Sequence, residues 1–551
     1  MEDFVFGTLA TDELKLIHHR ALRRGVQHAH AISPRDPLPG QPVTLSVTIG
    51  PDLQADQLVC YYTLDGNLPA GSKGVAENGT VIQLEKQAVH WDTLLWGYLN
   101  EWQGIIPAQP EGTLVRYRIG AWAGDGDETF ADWPEVQTTI EIAAGAFFKG
   151  QPLPDVKPGD PHTGNTFTYS VDRLTVPTWA REAVIYQIFV DRFFPGRGDD
   201  WQTPADLLGF FGGTLWGVAE KMNYIADLGI NCIWLSPIFP SPTHHGYDAT
   251  DLYRVEPRLG GDEALREVVA AAHSRGMRVV LDFVCNHISD QHPIFQDALH
   301  SESSPYRDWF TFDDSDLGYR GFFGVKSMPQ VNLATPAARD WMIDTARYWL
   351  REFNIDGYRL DYALGPGPNF WVDFWTACKA ENPDCFCFGE IIDAPFVQKT
   401  YIGRLDGCLD FFAADALRRA YGFNLWDEDH LERFIDRHSA YFPPDFVMPT
   451  FLDNHDMDRF LFIAGGDIDA LQRAAAAQMR LPGPPIIYYG TEVGLNHAHS
   501  AQEGGGIHVS RVPMLWDKEQ DQELLAFYKE IIHQRIENFT TKARSHQESK
   551  R

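Results

Sequence analysis

"RVVLDFVCNH", residues 278–287, is apolar through most of a strand's length and carries Asp282, Asn286 and His287 toward its C-terminal end. A strand buried on both faces reads as a nearly continuous apolar run, which is the habit of parallel sheets. Seven further runs have the same character: "AVIYQIFVDRF" (183–193), "INCIWLSPIF" (230–239), "IDGYRLDYA" (355–363), "CFCFGEII" (385–392), "DGCLDFFAA" (406–414), "FVMPTFLDNHD" (446–456) and "PPIIYYGTE" (484–492). Amphipathic stretches such as "GVAEKMNYIADLG" and "DEALREVVAAAHSRG" lie between them. Eight parallel strands alternating with helices predict an α/β fold, a (β/α)8 TIM barrel. A doubly wound sheet is the competitor, but no glycine-rich phosphate turn follows the first run.

Outward from the barrel the pattern changes. "PVTLSVTIG", "QLVCYYTLDG", "TLVRYRIGAW" and "VQTTIEIA" are short alternating segments broken by Gly, Pro and Asp-Gly. They predict an N-terminal antiparallel β-sandwich over 1–145, led by a helix-like segment. Residues 146–178 are rich in Pro and Gly and read as a linker. The barrel is assigned to 179–540, with a short excursion at 288–335 after its third strand. The final helix, "QELLAFYKEIIHQRIENF", is expected to turn Leu524, Leu525, Phe527, Tyr528, Ile531 and Ile532 inward. Residues 541–551 read as a polar tail. Trp91, Trp96, Trp102 and Trp122 are expected in the sandwich core, with a sugar-binding face as the alternative.

Composition narrows the partners. The formal charge of −30 repels phosphate backbones and anionic lipid heads, so neither nucleic acid nor membrane is an expected partner. A neutral substrate suits it better. The seven cysteines (Cys60, Cys232, Cys285, Cys378, Cys385, Cys387, Cys408) are scattered through apolar runs and read as buried thiols. No signal-like or membrane-spanning run is found, and a cytoplasmic location is the expectation.

Ionisable groups gather at the C-terminal ends of the runs: Asp282, Asn286 and His287; Arg359 and Asp361; Glu390; and Asp453, Asn454, His455 and Asp456. The loop after the second run adds His245, Tyr247 and Asp248. In a barrel these ends meet on one rim. Three carboxylates and an arginine, with no zinc-spaced Cys or His, suit glycoside chemistry: one protonated acid and one ionised carboxylate. The apolar flanks of Glu390 favour its neutral form, and Arg359 beside Asp361 favours the ionised form. Glu390 is thus the expected acid/base and Asp361 the expected nucleophile.

The motifs "DFVCNH" (282–287), "GYRLDYAL" (357–364), "FGEI" (388–391) and "FLDNHD" (451–456), in that order, resemble those of the α-amylase family of retaining glycoside hydrolases. The resemblance covers roughly 180–535. It implies that Asp361 is the nucleophile, Glu390 the acid/base and Asp456 a transition-state stabiliser. It also implies that Arg359, His287, His455, Tyr247 and His245 bind substrate, with Asp282 and Asn286 more structural. "MPQVNL" (328–333) partly resembles a motif of the neopullulanase and cyclomaltodextrinase branch, which favours small α-glucans, maltooligosaccharides or cyclodextrins. A C-terminal β-domain usual in the family is not recognised. The chemistry needs no cofactor. The resemblance leaves room for a structural calcium, although Thr214 stands where many relatives carry Asp, and for a homodimer. Glucanotransferase or isomerase activity is the alternative outcome, and a non-catalytic binding homologue is a more distant one.

Overall fold

The computed structural model describes residues 11–132, 136–153, 164–501 and 506–549. Its N-terminal part is two antiparallel sheets packed face to face. One sheet is built on Val43–Ile49, Gly97–Ile106 and Glu85–Asp92, the other on Thr113–Trp122, Gln57–Thr63 and Thr80–Gln83. In Val43–Ile49 every second residue is buried, the alternation expected of a strand with one face on a core. Leu45, Val47, Cys60, Val115, Tyr117 and Ile119 fill the space between the sheets.

Three expectations for this region change. "VQTTIEIA" is not a strand: it begins the helix Val136–Phe148. Its β-branched residues favour a strand locally, but Ile140, Ala143 and Ala144 also repeat at helical spacing. Those three are the buried ones, and Ile142 is exposed. The linker assignment also fails in part, because Phe167–Val171 pairs antiparallel with Thr113–Tyr117 as a strand of the sandwich; residues 154–163 lie outside the described residues. Trp102 and Trp122 are core, but Trp91 and Trp96 are exposed and touch edge to face at 5.3 Å on the outer surface.

Each of the eight apolar runs contributes one strand to a single parallel sheet: Ile185–Ile188, Cys232–Leu235, Arg278–Val284, Gly357–Asp361, Phe386–Gly389, Gly407–Cys408, Thr450–Phe451 and Pro485–Tyr488. In space they run in cyclic order, with the eighth beside the first. The ring closes between the sixth and seventh strands, each two residues long, through a bridge from Gly407 to Val447. Val447 N donates to Asp406 O at 2.9 Å and Cys408 N to Val447 O at 3.1 Å. The last helix, Gln522–Ser549, lays Leu524, Tyr528 and Ile532 against the barrel, and it continues through most of the stretch read as a tail. Among the described residues no helix is long and apolar enough to cross a membrane.

A buried ion pair fastens one flank of the barrel. Lys379 Nζ, on the helix Gly367–Glu381, lies 3.0 Å from Asp406 Oδ1 and donates to Cys385 O at 2.6 Å. Trp375 Nε1 and Cys387 N also donate to the Asp406 carboxylate. Lys379→Met would leave that carboxylate buried without its cation, at a cost of about 3–5 kcal/mol. Denaturant unfolding should read this as a lower midpoint with unchanged slope; an unchanged midpoint would remove the pair from the structural account.

Candidate active site

The third, fourth and fifth strands bring the expected acids together. Their register sets Asp282 level with Arg359 and Val284 level with Asp361. Arg359 is fully buried, and its Nη1 donates to Asp282 Oδ1 and Asp361 Oδ1, both at 2.8 Å. Its Nη2 lies 2.7 Å from Glu390 Oε1. Glu390 is placed by backbone bonds from Glu390 N to Leu360 O (2.8 Å) and from Ala363 N to Glu390 O (2.9 Å). Arg359 therefore does not distinguish Asp361 from Glu390, as the sequence alone suggested; it reaches both.

Asp456 closes the group from the seventh strand's loop, its N–H donating to Asn454 Oδ1 at 2.8 Å. Its side chain is 32% exposed, against 11% for Asp361 and 10% for Glu390, so it stands nearest the mouth. His455 Nε2 lies 3.0 Å from Asp456 Oδ2, and Arg511 Nη2 donates to Asp456 Oδ1 at 2.8 Å. Asp453 takes a structural part, accepting from Phe460 N and Thr491 Oγ1.

Tyr247 lies parallel to the His455 ring, centroids 5.4 Å apart, and its hydroxyl reaches both Asp282 Oδ2, at 3.0 Å, and His455 Nε2. His245 stands beside it, held through Nδ1 by Thr243 Oγ1 and Tyr247 N. His287 stacks on Phe322 of the excursion at 4.8 Å, and Asn286 Nδ2 lies 3.2 Å from its Nδ1. All ten expected residues thus lie in one connected group. Sequence reasoning missed Arg511, Gln187, whose Nε2 lies 2.7 Å from His455 Nδ1, and Trp234, which donates to Asp282 Oδ2 at 3.1 Å. Gln187 left a signal, a lone amide within an apolar barrel strand; Arg511, beyond the last strand, left none.

The profile of protein families adds the decisive observation: residues 187–535 match the family described as "Alpha amylase, catalytic domain". The chain belongs to the alpha-amylase family. It is 41% identical to "Alpha-amylase 2" of Dictyoglomus thermophilum over 366 residues, which are 66% of this chain and 64% of that one. It is 36% identical to the "Cyclomaltodextrinase" of Geobacillus thermopakistaniensis over 392 residues, 66% of this chain and 64% of the relative. A solved structure titled "Cyclomaltodextrinase" superposes with a TM-score of 0.62 at 26% identity, covering 93% of this chain and 84% of its own. The matched part of this chain thus spans a little under two thirds of each of these two curated relatives.

Charge balance in this alpha-amylase-family site is uneven. Four carboxylates (Asp282, Asp361, Glu390, Asp456) face two guanidiniums (Arg359, Arg511). Burial pushes the Asp361 carboxyl up to about 7, against the pull of Arg359 and with the push of Asp282 and Asp456. Burial raises Glu390 as well, with Asp361 and Asp456 adding to it against Arg359. Burial also disfavours the charge of Asp456, but His455, Arg511 and Arg359 overcome it and hold that carboxyl well below the usual range. Burial keeps His287, at about 4, and His245, at about 3, neutral near pH 7. The arrangement therefore disfavours charge on Asp361 and Glu390 together, while it favours the ionised form of Asp456.

Thr214 Oγ1 donates to Pro195 O and caps the helix Leu215–Glu220 through Gly217 N, and Asn286 Oδ1 accepts from Gln330 Nε2 at 3.2 Å. Both side chains are engaged within the protein. Among the described residues no three His, Cys, Asp or Glu side chains are grouped to hold a metal ion.

Proposed function

We propose that this chain is a retaining α-glycoside hydrolase that cleaves α-1,4 bonds, and α-1,6 bonds where they are accessible, in maltooligosaccharides, cyclodextrins and related small α-glucans. The observation that carries the reading is the pair Asp361 and Glu390, on adjacent strands at one buried guanidinium, where burial and mutual repulsion disfavour charge on both and so favour one protonated and one ionised member. Glu390 gives that proton to the leaving glycosidic oxygen as Asp361 attacks the anomeric carbon, and the glycosyl–Asp361 ester forms as the old bond breaks. Glu390, now ionised, takes a proton from water, and the water oxygen displaces Asp361 with the α-configuration restored. Asp456, already charged, accepts hydrogen bonds from sugar hydroxyls and opposes the positive charge that develops on the ring. Arg359 keeps both reacting carboxylates in register. The relatives' names, an alpha-amylase and a cyclomaltodextrinase, support this substrate class.

Product analysis with maltotriose, β-cyclodextrin, pullulan and sucrose tests the reading, with the anomer followed by NMR. Release of α-configured glucose or maltose is expected. A β-configured first product would overturn the double-displacement mechanism, and inertness to all four would overturn the activity. Longer saccharides built from maltotriose would instead assign transfer.

The proton shared by the pair also sets a pH dependence. Cleavage needs one proton on Asp361 and Glu390 together, so activity should follow a bell. Its alkaline limb should lie above the ordinary carboxylate range, where the last proton leaves the raised pair. Its acidic limb marks uptake of the second proton. A kcat/KM profile flat from pH 5 to 9 would contradict the shared proton.

A further inference from the structure

Tyr362 follows Asp361 directly and turns into the left-handed region, at φ 38°. That conformation is disfavoured for any residue with a β-carbon, so something must hold it. Its effect is to send the backbone N–H and the side chain in different directions. The N–H donates to Glu390 Oε2 at 3.1 Å. The ring passes outward between Phe322 and Phe323, with centroids at 4.9 and 5.3 Å. The hydroxyl then donates to Glu141 Oε1 at 3.1 Å.

Glu141 belongs to neither the barrel nor its excursion. It lies on the helix Val136–Phe148, 221 residues away in sequence from Tyr362. Its other oxygen accepts from Arg320 Nη2, in the excursion, at 2.6 Å. One carboxylate on this helix therefore ties the loop after the nucleophile to the excursion above it. The chain of contacts runs from Glu141 to the Tyr362 hydroxyl, and from the Tyr362 N–H to the proton donor.

We propose that Glu141 is a positioning residue for proton donation: acting through Tyr362, it holds Glu390 toward the leaving-group side of the cleft. The inference rests on the reading of Glu390 as the acid. If Tyr362 were free to leave its strained conformation, Glu390 would lose an N–H that favours its ionised form and fixes its direction. Arg359 would still hold Asp361 through Nη1 and lie at Glu390 Oε1 through Nη2, so the change falls on Glu390 Oε2 alone.

The test compares Glu141→Gln and Tyr362→Phe with the unaltered full chain. Two substrates are used: maltotriose, whose leaving group needs a proton, and α-maltosyl fluoride, whose leaving group does not. Each variant should lose about tenfold in kcat/KM on maltotriose and less than about twofold in kcat/KM on the fluoride, because kcat/KM reports formation of the glycosyl–enzyme and not its later hydrolysis, where Glu390 acts as base on both substrates. The double variant should be no worse than the poorer single, because both act on one chain of contacts. Equal losses on the two substrates, no loss, or additive losses in the double variant would overturn the proposal. A second readout is independent of turnover: the carbon-13 titration of the Glu390 carboxyl, identified by its absence in Glu390→Gln. Its midpoint should rise in Glu141→Gln and in Tyr362→Phe, by about half a pH unit. An unmoved midpoint would overturn the positioning role, even if the unaltered chain cleaved neither sugar and the glycosidase reading itself failed.

Discussion

Asp361→Asn is expected to lower kcat on maltotriose by roughly ten-thousandfold to a million-fold, the scale seen when a covalent nucleophile is removed. The amide is isosteric and can still accept from Arg359 Nη1, so the strand and its register should persist. Stability should move the other way. The Asp361 carboxyl sits at about 7 when folded, above the ordinary carboxylate value. Between those two values the folded chain holds a proton that the unfolded chain has lost, so stability falls as pH rises through that window. Above it, the cost of the buried charge is fully present. Asparagine never ionises and escapes that cost, so at pH 8 the variant's Tm should equal or exceed that of the unaltered chain. Calorimetry at pH 5 and pH 8 beside a maltotriose assay checks both halves. Turnover within tenfold of normal would remove Asp361 from the chemistry, and a large drop in Tm would assign it to the fold instead.

Glu390→Gln should show a different profile. Loss of a general acid typically costs a hundredfold to ten-thousandfold, so maltotriose cleavage should fall by about a thousandfold. Attack by Asp361 does not need that proton when the leaving group is already a stable anion. On α-maltosyl fluoride the variant should therefore keep formation of the glycosyl–enzyme and lose mainly its hydrolysis, where Glu390 acts as base. Small anions such as azide need no base and should restore turnover by intercepting the ester. Equal losses on both substrates with no rescue by azide would mean that Glu390 is not the proton donor.

The barrel was legible because each strand is buried on both sides. Runs such as Ile230–Phe239 carry no alternation to confuse and stop where polarity begins. The gathering of Asp361, Glu390 and Asp456 was legible for a related reason, since ionisable residues recur where several apolar runs end, and in a barrel those ends share one rim. What could not be read were contacts made across the fold. Glu141 meets Tyr362 over a separation of 221 residues, and Arg511 meets Asp456 over 55. The helix Val136–Phe148 was read as a strand because Val136, Thr138, Ile140 and Ile142 alternate with polar neighbours, and packing against the helix Asp12–Ala21 is invisible in that pattern. Arg359 was paired with Asp361 because they share a strand face; its reach to Glu390 and Asp282 depends on neighbouring strands.

The short closure between the sixth and seventh strands gives the ring a clasp. Gly407 and Val447 approach so closely there that a β-carbon on Gly407 would overlap the Val447 carbonyl oxygen. Few backbone bonds cross that clasp, whereas five residue pairs join the third and fourth strands. Thermal breathing of the ring should therefore start at the clasp, and its amides should exchange with solvent before those of Arg278–Val284. Asp361 and Glu390 ride on the tight arc, while Asp456 follows the seventh strand on the loose one. The molecule thus divides its three acids between a firm anvil and a jaw set beside the clasp, so that any change in the spacing of Asp456 from Asp361 and Glu390 should begin with the opening of those few bonds.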